Sequence, residues 1–493
     1  MADNRKANTL ISKDILPIQS KDRVISGLGF FNIWVGMAVI ISTFLIGANG
    51  IDSMSIWGVV SAIFVANLII AIIASLSGDI GVEHGLSFAT YLRAPFGTWG
   101  VHIPAVSRGI VAAAWFGIQT YLGAIAINYL VASLTGFDSW LLWYVIFAAV
   151  QIINTALGIK AIDRFAVIAA PSIVLISIWI FAKMNGMTMD KGIDIMTYSG
   201  TSGSTTWLFI MIANMGFWSA LAVDIPNITR YLKAPKNERN WFKRNINNLI
   251  PHVTALPFIQ SFMGLIGAVS FLGAGDANPI NVIQETASGW QYVVLLLLVI
   301  LAQWSTNTAA NLIPASLTFV NAGARVKLNF VAGLIIAGII GTVVQPWAIL
   351  DNLFTFLGYY GAILSAVAGI IICDYYVIRR RRMNVKDLYN PEGQFRYDGG
   401  VNLAGMLAWI IGGGLALYFF DYMYVVGFPA GFIAYYLLMK FWYLKRHKQA
   451  EVESGYSEEY LGTTAGTTTS IPTTCASATS GPASTTRSRP RPG

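Results

Sequence analysis

The sequence predicts an all-α integral membrane protein with about twelve transmembrane helices. Three observations predict it: an apolar composition, a succession of apolar runs long enough to span, and basic residues confined to alternate loops. Of 493 residues, 55% are hydrophobic and 11% charged. A soluble globular chain carries roughly 25% charged residues, so water is not the solvent of this one. Each span takes about 20 apolar residues and must be helical, because lipid cannot satisfy free backbone N–H and C=O groups.

The apolar runs lie near residues 27–50, 55–78, 103–133, 139–158, 163–184, 206–224, 250–274, 290–320, 329–349, 352–378, 402–420 and 423–443. The last two are separated only by a short turn around Asp421. Basic residues test the order. Arg5, Lys6, Lys13, Lys21 and Arg23 precede the first run; Arg93 follows the second, Lys160 and Arg164 border the fourth, and Arg230 to Arg244 follow the sixth. Arg325 and Lys327 follow the eighth, Arg379 to Arg382 the tenth, and Lys440, Lys445, Arg446 and Lys448 the last, while the opposite loops hold only Lys183 and Lys191. The alternation predicts both termini in the cytoplasm and explains the net charge of +8 without nucleic acid. No short apolar stretch with a cleavage site follows the start, so the first run is expected to stay. Cys373 and Cys475 have no disulfide or metal spacing. The stretch from about Glu451, rich in Thr, Ser, Pro and Gly, reads as a disordered tail.

No phosphate-binding loop and no soluble segment of ATPase size interrupts the runs, so an ion gradient is the expected energy source. The eighth run carries Ala302-Gln303-Trp304-Ser305-Thr306-Asn307-Thr308-Ala309-Ala310-Asn311. Ser305 and Thr306 offer hydroxyl oxygens to a hard cation such as Na⁺, and Asn307 and Asn311 share one face. A single Ser or Thr in such a place more often bonds its own backbone or a neighbouring helix; the density of this cluster points to a site. In the third run Trp115 and Gln119 share a face at i, i+4, a ring and an amide suited to a flat heterocycle or, equally, to helix packing. Candidate breaks lie around Gly36 in the first run and Gly216 in the sixth. Paired interruptions would mark a central binding site, and close helix packing is the alternative. Arg108, Asp224, Asp374 and Asp421 fall near predicted span ends, and His84, His102 and His252 lie in or near loops. An intramembrane charge would mark a proton relay; its expected absence favours Na⁺ over H⁺.

From about Ser26 to Leu444 the chain resembles the nucleobase–cation symporter-1 family of hydantoin, allantoin, uracil and cytosine permeases. The resemblance is carried by Trp304-Ser305-Thr306-Asn307 with Ala309-Ala310-Asn311, Trp115-Phe116-Gly117-Ile118-Gln119-Thr120, Ile225-Pro226-Asn227 with Thr229-Arg230-Tyr231, Arg93-Ala94-Pro95-Phe96-Gly97, and Asp374-Tyr375-Tyr376 before Arg379. It implies a leucine-transporter-type five-plus-five inverted repeat. A cytoplasmic N-terminal tail would span 1–25, the repeats 26–200 and 201–380, a cytoplasmic loop with two extra helices 381–448, and a disordered tail 449–493. It implies that Trp115 and Trp218 sandwich the substrate ring, that Gln119 and Asn311 bond its amide edge, and that the Phe217 carbonyl adds an acceptor. It implies a Na⁺ site at the carbonyls of Gly36, Val39 and Ala302 with the hydroxyls of Ser305 and Thr306, and an external gate at Leu357. Ile40 stands where hydantoin and allantoin relatives carry Gln or Asn, so one polar contact to the ring is missing. The expected function is a Na⁺-coupled importer of a nucleobase-like cyclic amide (hydantoin, allantoin, uracil or related) in the cytoplasmic membrane, with no other cofactor. A proton-coupled permease and an uncoupled facilitator are the alternatives. No dyad or metal cluster supports an enzyme.

Overall fold

The computed structural model describes residues 10–201 and 203–453, with backbone alone at 159–170, 172 and 173. The Lys160 and Arg164 side chains, Arg5, Lys6, Cys475 and the tail from 454 onward lie outside the described residues. Every apolar segment named above carries helix. Seven helices among the described residues are long and apolar enough to cross a membrane, and a bent pair at the start makes an eighth. Trp140–Ala156, Phe330–Val343 and Leu403–Tyr418 are shorter apolar helices, and Ile159–Asp190 covers the fifth segment. Among the described residues, β-pairing is limited to isolated bridges.

Local chemistry sets the helix ends. Ser55, Thr206, Asn329 and Asn402 accept backbone N–H bonds at the starts of the second, sixth, ninth and eleventh spans, satisfying donors a helix start leaves free. Gly85, Gly136 and Gly275 end the second, third and seventh spans with φ of 69°, 76° and 80°, the left-handed cap glycine adopts without penalty. Large exposed side chains of the fourth, ninth and eleventh spans, such as Val145, Ile339 and Ile410, are apolar, as a lipid-facing surface requires.

The first span is two helices, Gly27–Ala38 and Ile41–Ile51, meeting at 57°. Val39 and Ile40 between them are extended, in a β-branched run that disfavours helix. The break therefore falls three residues beyond the glycine the sequence singles out. Its second half packs on the seventh span, Ile246–Ala274, where a Cβ on Gly267 would lie 2.1 Å from the Phe44 carbonyl and one on Gly47 2.0 Å from the Gly264 carbonyl.

The sixth span, Trp207–Asp224, is continuous through Gly216, so the expected break there is absent. Gly216 instead lets the twelfth span approach: its Cβ would lie 2.4 Å from Met423 Cε. The eighth span widens to a π-helical turn at Asn307–Leu312 between Gly289–Thr306 and Ile313–Ala322.

The face bearing the basic loops is sewn together. Arg244 pairs with Asp79 at 2.8 Å and Glu83 at 2.7 Å, and Arg379 with Asp374 at 2.8 Å and with Glu451. Arg93 donates to the carbonyls of Leu10 and Leu388 and to Asn321; burial pulls its guanidinium down to about 10, leaving it charged at neutral pH. The N-terminal segment is packed from Leu10 on, with Ile15 fully buried. At the other end, Gln449 and Glu451 are also fully buried, so residues 449–453 of the stretch expected to be disordered are part of this face.

Replacing Gly267 by Ala should destabilise the protein by about 1–3 kcal/mol through overpacking. Gly413→Ala, inside a helix where nothing lies within 4 Å of the added Cβ, should be neutral or stabilising by up to about 1 kcal/mol. Thermal unfolding in detergent compares the two.

Candidate functional site

Near the break of the first span, four helices converge on one cavity. It is lined by Ile40, Arg108, Trp115, Gln119, Phe217, Trp218, Ala220, Leu221, Thr306, Ala310 and Asn311. All six residues expected to bind substrate (Ile40, Trp115, Gln119, Phe217, Trp218, Asn311) are in that set. The third span, His102–Thr135, presents Arg108, Trp115 and Gln119 along one stripe, at i, i+7 and i+11.

The walls are aromatic. Trp115 and Trp218 each pack edge-on against the Phe217 ring, with centroids 5.0 and 5.1 Å apart. Trp34 backs Trp218 at 5.7 Å, and His252, fully buried, backs Trp34 at 5.0 Å. The Phe217 carbonyl, expected to face substrate, accepts the Tyr360 hydroxyl at 2.9 Å, and that hydroxyl also accepts the Trp115 indole N–H at 3.3 Å. Leu357, one turn earlier on the tenth span, is fully buried and is not among the cavity-lining residues.

The polar groups fall into two kinds. Asn311 Nδ2 donates to Asn307 Oδ1 at 2.7 Å, and Asn307 Nδ2 reaches Gln151 Oε1, Thr120 Oγ1 and the Phe116 carbonyl at 2.8–3.1 Å. Asn307 is therefore the post that orients Asn311, a role its i, i−4 spacing could have signalled. Gln119 is different: only 1% exposed, with neither amide atom hydrogen-bonded. The indole N–H of Trp218 is likewise unpaired. Each unpaired buried group costs about 1–3 kcal/mol, an arrangement that makes sense where a ligand supplies the partner.

Beside this cavity, Thr306 Oγ1 donates to the Gly36 carbonyl at 2.7 Å and the Ala302 carbonyl at 3.1 Å. A Cβ on Gly36 would lie 2.7 Å from Ser305 Oγ. Thus Gly36, Ala302, Ser305 and Thr306 meet where the first span ends its helix, and Val39 occupies the extended step. These are oxygen donors only, the chemistry of a hard cation.

The structure adds a charged pair to the site. Asp224 closes the sixth span and Arg108 lies in the second turn of the third, near the ends expected, but the two face each other: Arg108 Nε lies 2.9 Å from Asp224 Oδ2, with side-chain exposures of 2% and 0%, and Arg108 lines the cavity. The expectation that no charge reaches the site is overturned. Pairing hides each ion from the apolar surroundings, and the partners come from different spans. The signal was the spacing of Arg108 two turns before Trp115.

The cavity is narrow, with about 30 Å³ of room for the centre of a water-sized sphere. A heterocycle enters only if the walls part.

A family model for permeases of cytosine/purines, uracil, thiamine and allantoin matches residues 17–441. The chain belongs to this family. The hydantoin permease of Microbacterium maritypicum is 28% identical over 462 residues, covering 92% of this chain and 94% of that one. The allantoin permease of Bacillus subtilis (strain 168) is 27% identical over 473 residues, covering 88% and 94%. Among solved structures, Mhp1, a nucleobase-cation-symport-1 family transporter in a closed conformation with bromovinylhydantoin bound, superposes with a TM-score of 0.84 at 28% identity, covering 90% of this chain and 98% of that one. The permease is thus a multi-pass membrane transporter with the leucine-transporter-type fold its sequence implies.

Replacing Asn307 by Ala in the permease should strand Gln151 Oε1 and release Asn311, costing about 1–3 kcal/mol. A lowered unfolding temperature together with weakened ligand binding is the expected outcome; an unchanged one would remove Asn307 from the site.

Proposed function

We propose that this permease imports a nucleobase-like cyclic amide, a hydantoin, allantoin, uracil or a close relative, together with Na⁺ across the cytoplasmic membrane. The observation that carries the reading is Gln119: a buried amide with both atoms free, on the same face as Trp115. A flat ring against the indoles would gain stacking area, and its adjacent N–H and C=O would satisfy the amide that the protein leaves unpaired. Asn311, held by Asn307, supplies a second carboxamide. Ile40 offers no polar contact, which favours a ring with an apolar substituent on that side.

The cation reading rests on the oxygens at Gly36, Ala302, Ser305 and Thr306. A cation bridging the first and eighth spans there would favour the conformation that holds them together. It can drive transport only because it binds the two access states unequally. The narrow cavity fits alternating access, in which the ring is enclosed before release. The alternation of basic loops supports cytoplasmic termini, and Leu357 is proposed as the external gate because it abuts the sixth span at Gly216. Proton coupling is the second reading, favoured by the buried Arg108–Asp224 pair beside the cavity.

Uptake into proteoliposomes separates them. Accumulation should require an inward Na⁺ gradient and fall at least tenfold in Thr306→Ala at limiting Na⁺. Full accumulation under a proton gradient alone would replace the sodium reading with the second one. Gln119→Ala and Asn311→Ala should each abolish ring binding in a protein that still folds, with a lowered unfolding temperature only in Asn311→Ala, where Asn307 Oδ1 loses its donor. Normal affinity in both would remove the proposed clamp.

A further inference from the structure

We propose that Arg108 is a specificity-determining residue, donating from its free Nη1 to a ring carbonyl, so that the cavity selects rings with two carbonyls over rings in which an amine replaces one. This inference rests on the proposed reading of the cavity as the ring-binding site. Arg108 carries five N–H donors and no acceptor. Nε donates to the Ala220 carbonyl at 3.0 Å and faces Asp224, and Nη2 donates to the Ala310 carbonyl at 3.3 Å. Nη1 is buried with no partner. The Ala310 carbonyl is available because Pro314, four residues on, has no N–H to give it.

The reach of the side chain matters. Arg108 and Gln119 are eleven residues apart, about 16 Å along a helix. The bond to Ala310 carries the guanidinium up to the residue next to Asn311, so the cation lies at the level of the cavity and not at the level of its own Cα. Gln119 and Asn311 then meet one edge of a ring while Arg108 meets another.

Charge and donor counts fix what that edge must be. Asp224 already neutralises Arg108, so a carboxylate there would bring a second negative charge into a buried site. A neutral carbonyl adds none. A ring amine would oppose donor to donor and leave both unpaired. Arg108 thereby supplies a polar contact to the ring in a cavity where Ile40 supplies none.

The test uses matched probes on the purified full-length protein: uracil against cytosine, and 1-methylhydantoin against creatinine, each pair differing by a carbonyl changed to an amino or imino group. Calorimetric titration should show the dioxo ring of at least one pair bound about ten- to a hundredfold more tightly, about 1.4–2.8 kcal/mol. The Arg108→Gln/Asp224→Asn double variant, which removes both charges and gives position 108 an acceptor as well as a donor, should narrow that preference to under threefold. Arg108→Lys keeps the pair with Asp224 but has a single nitrogen for three partners, and should narrow it too should the double variant fail to fold. Equal binding within both pairs by the parent protein would overturn the role of Arg108 and leave the permease reading standing. So would a preference unchanged in either folded variant. Binding of neither dioxo ring overturns the inference, and if allantoin also fails to bind, the ring-site reading falls with it.

Discussion

Where the first span leaves its helix at Val39, the carbonyls of its last turn lose their partners in a place where lipid offers none. The protein answers with side chains from two other spans. Thr306 donates to the Gly36 carbonyl and Gln260 of the seventh span to that of Ala38, while Gln260 Oε1 accepts from Thr43 beyond the break. Gln260 thus bridges both halves of the interrupted span. The absence of a side chain at Gly36 admits Ser305. This single discontinuity brings carbonyl and hydroxyl oxygens together and turns Ile40 toward the cavity shared with the third, sixth and eighth spans.

The cavity couples two kinds of constraint. Its aromatic wall, from Trp115 through Phe217 and Trp218 to Trp34, is held by ring packing and by the Tyr360 hydroxyl, which joins the Trp115 indole to the Phe217 carbonyl. Its polar groups depend on a chain of bonds from Gln151 through Asn307 to Asn311. On the basic face, buried ion pairs join the second span to the start of the seventh, and the end of the tenth to the segment after the twelfth. Buried pairs of this kind contribute little net stability but are costly to half-break. That suits an element with two discrete arrangements better than one that deforms gradually.

Much of this was legible in the sequence because the bilayer restricts the choices. Long apolar runs in lipid can only be helices. The Trp115–Gln119 spacing and the dense polar run from Ala302 to Asn311 marked the cavity walls for the same reason: polar and large aromatic groups on one helical face need a partner. What remained hidden depends on contacts between distant segments. Arg108 and Asp224 read as span-end charges because nothing local reveals that they pair across 116 positions. Gly216 stays open between a break and close packing in the sequence because glycine permits both, and only the position of Met423 decides between them. The burial of Ile15 and Glu451 is not legible locally because the segments that carry them are polar, and their partners, such as Arg379 for Glu451, lie far away in the chain.

In the proposed site a ring lies between the aromatic wall and the two carboxamides. An experimental structure of the protein in lipid nanodiscs, determined with saturating uracil or a hydantoin, tests it most directly. Planar density is expected against Trp115 and Trp218 within hydrogen-bond reach of Gln119 and Asn311, in a cavity widened to admit it. Density for the ring at a different place, with Gln119 still unpaired, would contradict it.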